Sequence, residues 1–269
     1  MCDPRDLVSD NDFYDWLVGF IDAEGNFTIK VSENKFSIQF LLKIDLHLDD
    51  KSVLEYVCKR LQIGTVGIYE SSSIVRWVVT KSSDLDKLIA ILNKRTLNTT
   101  KYLDYLKWLE AINLWRQAKL SPNTQLGKSV KLATRTKILE LKAGMNKNKT
   151  SFFPIANHEI IITPYWFLGF LEGDGSFGIN TLHFSTIFSL EQRYTEKPVL
   201  IAIAEYLKGL IPTHLSELKD RQTLVTIFDT PARSERRKPT TTLAFTHLQF
   251  LFEVIVPFFD NLTFFSFFS

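Results

Sequence analysis

The chain has 269 residues, 45% hydrophobic and 23% charged, with 32 basic and 30 acidic side chains giving a formal charge of +2. That is ordinary globular composition, enough for one large domain or two smaller ones whose core needs no staples. Two cysteines, Cys2 and Cys58, in no Cys-x-x-Cys or Cys/His spacing exclude a disulfide framework and a structural zinc site; the lack of any apolar run of about eighteen residues excludes a membrane-spanning helix.

The first residues, Met1 to Asp6, carry acids and neither a signal peptide's apolar core nor the Arg-rich, acid-poor character of a transit peptide. A protein of this kind working inside an organelle is expected to be made there. The first strong feature is Trp16 to Phe27, WLVGFIDAEGNF, an apolar helix pattern closed by acid, small residue, acid and glycine. Gly25 is expected to turn the chain out in a left-handed conformation. Gly19 lies mid-helix, where glycine costs about 1 kcal/mol relative to alanine, and so points to close helix packing.

Period-two alternation follows. Phe27, Ile29 and Val31 alternate with Asn26, Thr28, Lys30 and Ser32; after a turn near Glu33 to Lys35, Phe36, Ile38 and Phe40 oppose Ser37 and Gln39. This predicts an antiparallel sheet with one apolar and one polar face. Next come a helix over Val53 to Leu61, a strand over Val75 to Lys81 and a helix over Thr99 to Gln117 rich in Tyr, Leu and Trp. From Arg116 to Thr150 nine basic residues stand against one acid, Glu140. Such a stretch is a solvated linker or a phosphate contact.

Then the unit is written again. Trp166 to Phe177 reads WFLGFLEGDGSF, matching the first motif at Trp, both glycines and both phenylalanines, with acids at the same two places. Ser176, Gly178 and Asn180 alternate with Phe177 and Ile179; Phe184 to Glu191 forms a strand, Val199 to Leu210 a helix, and Leu224 to Phe228 a buried strand. A loop, Asp229 to Pro239, carries Arg233, Arg236, Arg237 and Lys238, and the chain closes on the apolar run Phe264 to Ser269. The expected fold is α+β with two pseudo-symmetric αββαββα halves: residues 1–120, a basic linker over 121–160, and 161–269. The apolar undersides of the sheets should bury Phe27, Ile29, Phe36, Ile38 and Phe177.

If the two motif helices meet along Gly19 and Gly169, their C-terminal ends bring Glu24 and Asp174 together. Like charges at two negative helix ends repel unless a cation lies between them. A hard divalent ion such as magnesium suits oxygen ligands and completes its shell with water and phosphate, which implies phosphodiester hydrolysis.

With these two motifs the sequence resembles the LAGLIDADG homing endonuclease family in its single-chain, two-motif form, from about Asp12 to about Phe259. The resemblance implies motif helices at a pseudo-twofold interface and two antiparallel sheets forming a DNA-binding saddle. It also implies a monomer that makes a staggered double-strand break in a long DNA target, using Mg2+ or Mn2+, with Ca2+ supporting binding without cleavage. Glu24 and Asp174 are the implied catalytic, metal-binding acids; Asp22 and Glu172 match positions used for capping or packing. Gln192 and Lys81 match the family's supporting glutamine and lysine, and Lys43 and Asp45 hold similar places in the first copy. Ordinary surface roles stand beside these supporting assignments. Base readout would fall to Asn26, Thr28, Lys30, Ser32, Lys35, Ser37, Gln39, Lys43 and Arg76 in the first half, and to Ser176, Gly178, Asn180, His183, Arg233, Arg236 and Arg237 in the second. The implied setting is a mitochondrial or other organellar genome, with no membrane partner. Two further readings are an intron-RNA maturase and a former endonuclease recruited into a ribonucleoprotein such as an organellar ribosome.

Overall fold

In the computed structural model the described residues are 3–32, 37–146, 158–180, 185–219, 224–232 and 238–266, with the side chains of Asn180 and Ser185 also outside the description. The expected turn at Glu33 to Lys35, core residue Phe36, and the candidate contacts Lys35, His183, Arg233, Arg236 and Arg237 lie outside the described residues. The chain divides into two compact units. One comprises Glu24–Lys94 and Thr100–Phe152, the other Met1–Ala23, Arg95–Thr99 and Phe153–Ser269.

The first of these units is built on a four-stranded antiparallel sheet, β1 (Gly25–Val31), β2 (Ile38–His47), β3 (Thr65–Tyr69) and β4 (Ile74–Val79), in the spatial order β1-β2-β4-β3. Pairing of Phe27 with Leu42 and of Leu42 with Val79 fixes the register. Because side chains alternate across a strand, that register gathers Phe27, Ile29, Phe40, Leu42, Ile44, Trp77 and Val79 on one buried face. Helix α2 (Lys51–Leu61) buries Val53, Leu54, Tyr56 and Val57, and stops at Gln62 and Gly64, both with positive φ. Helix α3 (Ser82–Lys94) buries Leu85, Leu88 and Leu92. Helix α4 (Lys101–Lys119) lays Tyr105 and Trp108 against Phe27, at ring distances of 5.6 and 5.3 Å, leaving Phe27 1% exposed. The basic stretch after it is itself helical: α5 (Gln125–Ala143), capped by Thr124, whose hydroxyl accepts from the Gly127 N–H.

The other unit holds both motif helices, α1 (Asp10–Glu24, up to Ala23) and α6 (Pro164–Asp174), with the second sheet. Its strands β5 (Gly175–Asn180), β6 (Ser185–Arg193), β7 (Thr226–Thr230) and β8 (Thr240–Phe245) repeat the order of the first sheet, β5-β6-β8-β7. Helix α7 (Lys197–Gly209) packs Val199, Ile203 and Leu207 into the core. A final helical run comprises α8 (Leu248–Phe250), a π-type turn over Leu251–Ile255 and α9 (Val256–Asp260). The αββαββα order expected for each half is present twice.

Two expectations fail on this second sheet. Phe177 stacks on Phe188 at 4.9 Å yet is 52% exposed. Its counterpart Phe27 is covered by α4, whereas Phe177 borders an open groove of about 470 Å³ with Ile179, Ile187, Leu251, Phe252 and Val256. Amphipathic alternation identified the apolar face but carried no information about its cover. The strand expected over Leu224 to Phe228 begins two residues later; Leu224 is buried, but β7 is an edge strand and Phe228 is 47% exposed.

Candidate nuclease site

Helix α1 buries Phe13, Trp16, Leu17, Val18, Phe20 and Ile21, and α6 buries Trp166 to Leu171 without a break. Helices apolar on nearly every side must be enclosed by other elements. Thr163 caps α6, its hydroxyl accepting from the Trp166 N–H at 3.2 Å, and Pro164 supplies a preset φ for the first turn. The two helices touch at their glycines: a Cβ on Gly19 would run into the carbonyl oxygen of Trp166, and a Cβ on Gly169 into that of Trp16. Mid-helix glycine is thus explained by backbone-to-backbone contact, as the motif spacing predicts.

The earlier acids of the two motifs act as packing anchors, the second of the two roles, capping or packing, that the resemblance implies for them. Asp22 is buried and accepts from the Asn98 N–H (2.7 Å), the Thr99 N–H (3.1 Å) and the Thr99 hydroxyl (2.5 Å). Glu172 accepts from the Phe265 N–H (2.8 Å) and the Ser266 N–H (3.0 Å). Each carboxylate also takes an indole N–H from the other helix: Trp166 donates to Asp22 at 3.0 Å and Trp16 to Glu172 at 3.1 Å. Burial pushes the Glu172 carboxyl up to about 7, outweighing its N–H donors. These crossed bonds join residues 144 and 156 positions apart and were not anticipated from the sequence.

Two residues after each anchor, helix becomes strand without a loop. Glu24 is the last residue of α1 and Gly25 the first of β1; Asp174 closes α6 and Gly175 opens β5. The left-handed glycine expected here is replaced by an extended one: Gly175 has φ −81° and ψ 151°. Its lack of a side chain serves close approach, since a Cβ there would collide with Leu171. Both acids offer hard oxygen ligands at the negative end of a helix dipole. Among the described residues no group of three or more His, Cys, Asp or Glu side chains forms a cage for an ion. One carboxylate per helix fits a magnesium-type ion, which keeps water and phosphate oxygens in its shell.

The polar face of the first sheet carries Asn26, Thr28, Lys30, Gln39, Lys43, Asp45 and Arg76, as the register with Phe27 requires. Lys30 and Gln39 are exposed. Asn26 accepts from the Thr28 hydroxyl at 2.6 Å and donates to Asn146 at 3.3 Å. Asp45 sits at the centre of a charged cluster: Arg76 grips it through Nε (2.5 Å) and Nη2 (2.8 Å), and Lys43 reaches it at 3.1 Å. The Arg76 guanidinium also lies 4.9 Å over the Tyr69 ring. Chiefly through its bonds to Arg76, Asp45 is held below the usual carboxylate range. At the margin of the sheet, Arg135 of α5 donates to the Ser32 carbonyl at 2.8 Å, and the Ser32 N–H donates to the Ser37 carbonyl.

In the second sheet Ser176 and Gly178 are exposed, and a Cβ at Gly178 would meet nothing within 4 Å; Asn180 pairs with Ser185. By register, Ser189, Glu191 and Thr242 share the face of Ser176. Gln192, paired with Thr241, alternates onto the face of Leu190 and does not join them. Lys81 is exposed just beyond β4, its carbonyl accepting from the Asp84 and Leu85 N–H groups at the start of α3.

Comparison with known proteins agrees with this geometry. The family model described as LAGLIDADG endonuclease matches residues 17–112. The chain is 27% identical over 266 residues to the uncharacterized mitochondrial protein RF1 of Saccharomyces cerevisiae, covering 94% of this chain and 51% of that protein. It is 29% identical over 203 residues to the probable intron-encoded endonuclease Cox1-I1b of Schizosaccharomyces pombe, covering 72% of this chain and 49% of that one. The chain thus spans about half the length of these curated relatives. In fold it is similar to the LAGLIDADG homing endonuclease I-GzeII solved in complex with its DNA target, with a TM-score of 0.72 at 21% identity over 93% of this chain and 84% of that one. Two glycine-crossed motif helices, each running directly into a four-stranded antiparallel sheet, thus join a segment that matches the LAGLIDADG endonuclease family model to a fold similar to that of the LAGLIDADG homing endonucleases.

Proposed function

We propose that the protein is a site-specific DNA endonuclease that makes a staggered double-strand break by metal-dependent phosphodiester hydrolysis. The observation that carries this reading is the reciprocal contact of Gly19 and Gly169, because each motif helix ends in an acid five residues beyond its glycine. Glu24 and Asp174 are the metal ligands in this proposal, with Mg2+ or Mn2+ as the ion and Ca2+ as one that permits binding alone. When bound, such an ion supplies Lewis acidity toward the scissile phosphate and a more acidic water.

The chain's own residues bind and orient the duplex. Arg76 and Lys43 suit guanine, Asn26 and Gln39 suit adenine, and Thr28, Lys30, Ser32, Ser37, Ser176 and Asn180 add adaptable contacts; the space over Gly178 admits a close approach. The same role for Lys35, His183, Arg233, Arg236 and Arg237 rests on sequence alone. Exposed Lys128, Lys137 and Lys142 on α5 would meet phosphates, which position without specifying. Lys81 and Gln192 enter as supporting residues from family resemblance alone, and alanine variants test them. The proposed protein acts as a monomer in the mitochondrion, in keeping with the mitochondrial and intron-encoded relatives.

Cleavage of a randomised duplex library tests the function. Magnesium-dependent cuts at one recurring site, abolished in Glu24→Gln and Asp174→Asn while DNA binding persists, are expected. A folded chain that binds no duplex and cuts none would overturn the reading.

A further inference from the structure

The geometry points to Trp16 and Trp166 as crossed positioning residues, each fixing the catalytic end of the helix to which it does not belong; this rests on the nuclease reading above. Trp16 belongs to α1, yet its indole N–H ends on Glu172 of α6, two residues before Asp174. Trp166 belongs to α6, yet its indole N–H ends on Asp22 of α1, two residues before Glu24. Both rings are buried. Trp16 stacks on Phe20 (4.9 Å) and Phe265 (4.4 Å), and Trp166 stacks on Phe170 at 5.0 Å.

Each carboxylate also binds two consecutive backbone N–H groups, Asn98 and Thr99 for Asp22, Phe265 and Ser266 for Glu172. A helix's last turn has no continuing turn beyond it to hold its side chains, so side-chain anchors decide where a terminal acid points. Here each last turn has a strap from the chain following the final helix of its half, and an indole from the opposite motif. The glycine contact sets how closely the helices approach; the two indoles set how each end is rotated about it. Neither acid is positioned by its own helix alone.

The consequence is a crossed phenotype. Trp16→Phe keeps an aromatic ring but removes the donor to Glu172, and should slow the strand cut served by Asp174. Trp166→Phe should slow the cut served by Glu24. A misplacement of about 1 Å costs up to roughly a hundredfold in rate, so a drop of at least about tenfold for one strand is expected, with nicked duplex accumulating and DNA affinity unchanged.

Strand-resolved cleavage with each 5′ end labelled separately provides the test. Glu24→Gln and Asp174→Asn identify which strand each acid serves. The expected result is nicks on opposite strands for the two tryptophan variants, with Glu172→Gln matching Trp16→Phe and Asp22→Asn matching Trp166→Phe. Those carboxamide variants also probe the same ends without disturbing indole packing, should a phenylalanine variant fail to fold. Amide hydrogen exchange on the same proteins supplies a readout independent of cleavage: faster exchange at Phe265 and Ser266 in Trp16→Phe, and at Asn98 and Thr99 in Trp166→Phe. Equal slowing of both strands, nicking of the same strand by both tryptophan variants, or uncrossed exchange would overturn the inference. If the unaltered chain cuts no DNA, the nuclease reading fails separately, and the exchange pattern alone upholds or overturns the clasp.

Discussion

The α-carbon of Gly19 lies against the backbone carbonyl of Trp166, and the contact is returned by Gly169 against Trp16. Because the colliding atoms belong to backbone on both sides, no rotamer change relieves an added methyl group. Gly19→Ala and Gly169→Ala should each lower stability by about 1–3 kcal/mol through overpacking, even after the gain of roughly 1 kcal/mol in helix propensity. Urea denaturation of the two variants measures this; unchanged midpoints would show that the helices separate freely.

Glu172 sets a pH dependence. Its carboxyl is raised from 4.5 to about 7 in the folded chain. Below pH about 4.5 it is protonated folded and unfolded; between about 4.5 and about 7 the unfolded chain ionises first, so stability falls as pH rises, by at most about 3 kcal/mol. In Glu172→Gln this fall should disappear. Melts of both proteins from pH 4 to 8 test it through the slope of their difference, which removes groups common to both.

The Asp45 cluster restrains two basic side chains at once. Asp45, Arg76 and Lys43 are each about a third exposed, so the ion pairs contribute on the order of 1 kcal/mol or less to stability. Asp45→Ala should therefore fold normally but release two cations on the exposed face. Expected are tighter binding to unrelated duplex and a steeper dependence of affinity on salt. Binding isotherms at several salt concentrations decide it; a slope equal to that of the unaltered protein would mean that Arg76 and Lys43 do not reach DNA.

Phe27 and Phe177 occupy equivalent places in the two motifs and should respond differently. Phe27→Ala removes a ring enclosed by Tyr105 and Trp108 and should cost about 3–5 kcal/mol. Phe177→Ala removes a half-exposed ring and should cost roughly 1 kcal/mol, while lowering the binding of an apolar fluorescent dye to the groove it borders. Equal losses of stability would show that Phe177 is covered in solution.

Much of this architecture was legible in the chain because it is written twice. The repeated Trp, glycine and acid spacing located both motif helices, and alternation after Gly25 placed Phe27, Ile29 and Ile38 on the buried face. What stayed hidden depends on which surfaces meet. Alternation describes a strand's two faces but not its cover, so Phe177 was expected inside. Family resemblance singled out Gln192, but only the pairing with Thr241 reveals its face. Asp22 and Glu172 read as local packing acids; their indole partners lie 144 and 156 residues away, beyond the reach of any local pattern.

Direct passage from Glu24 to Gly25 and from Asp174 to Gly175 leaves no hinge between the acid and the strand that follows it. With no loop between them, a displacement of Asn26 or Ser176 is passed to a carboxylate two residues away. In the proposed nuclease, target preference and turnover would then be coupled in each half. Retuning the first strand toward a new sequence would also retune the aim of its acid, and the most permissive positions for altering preference lie further along the lever, at Lys30 and Gln39.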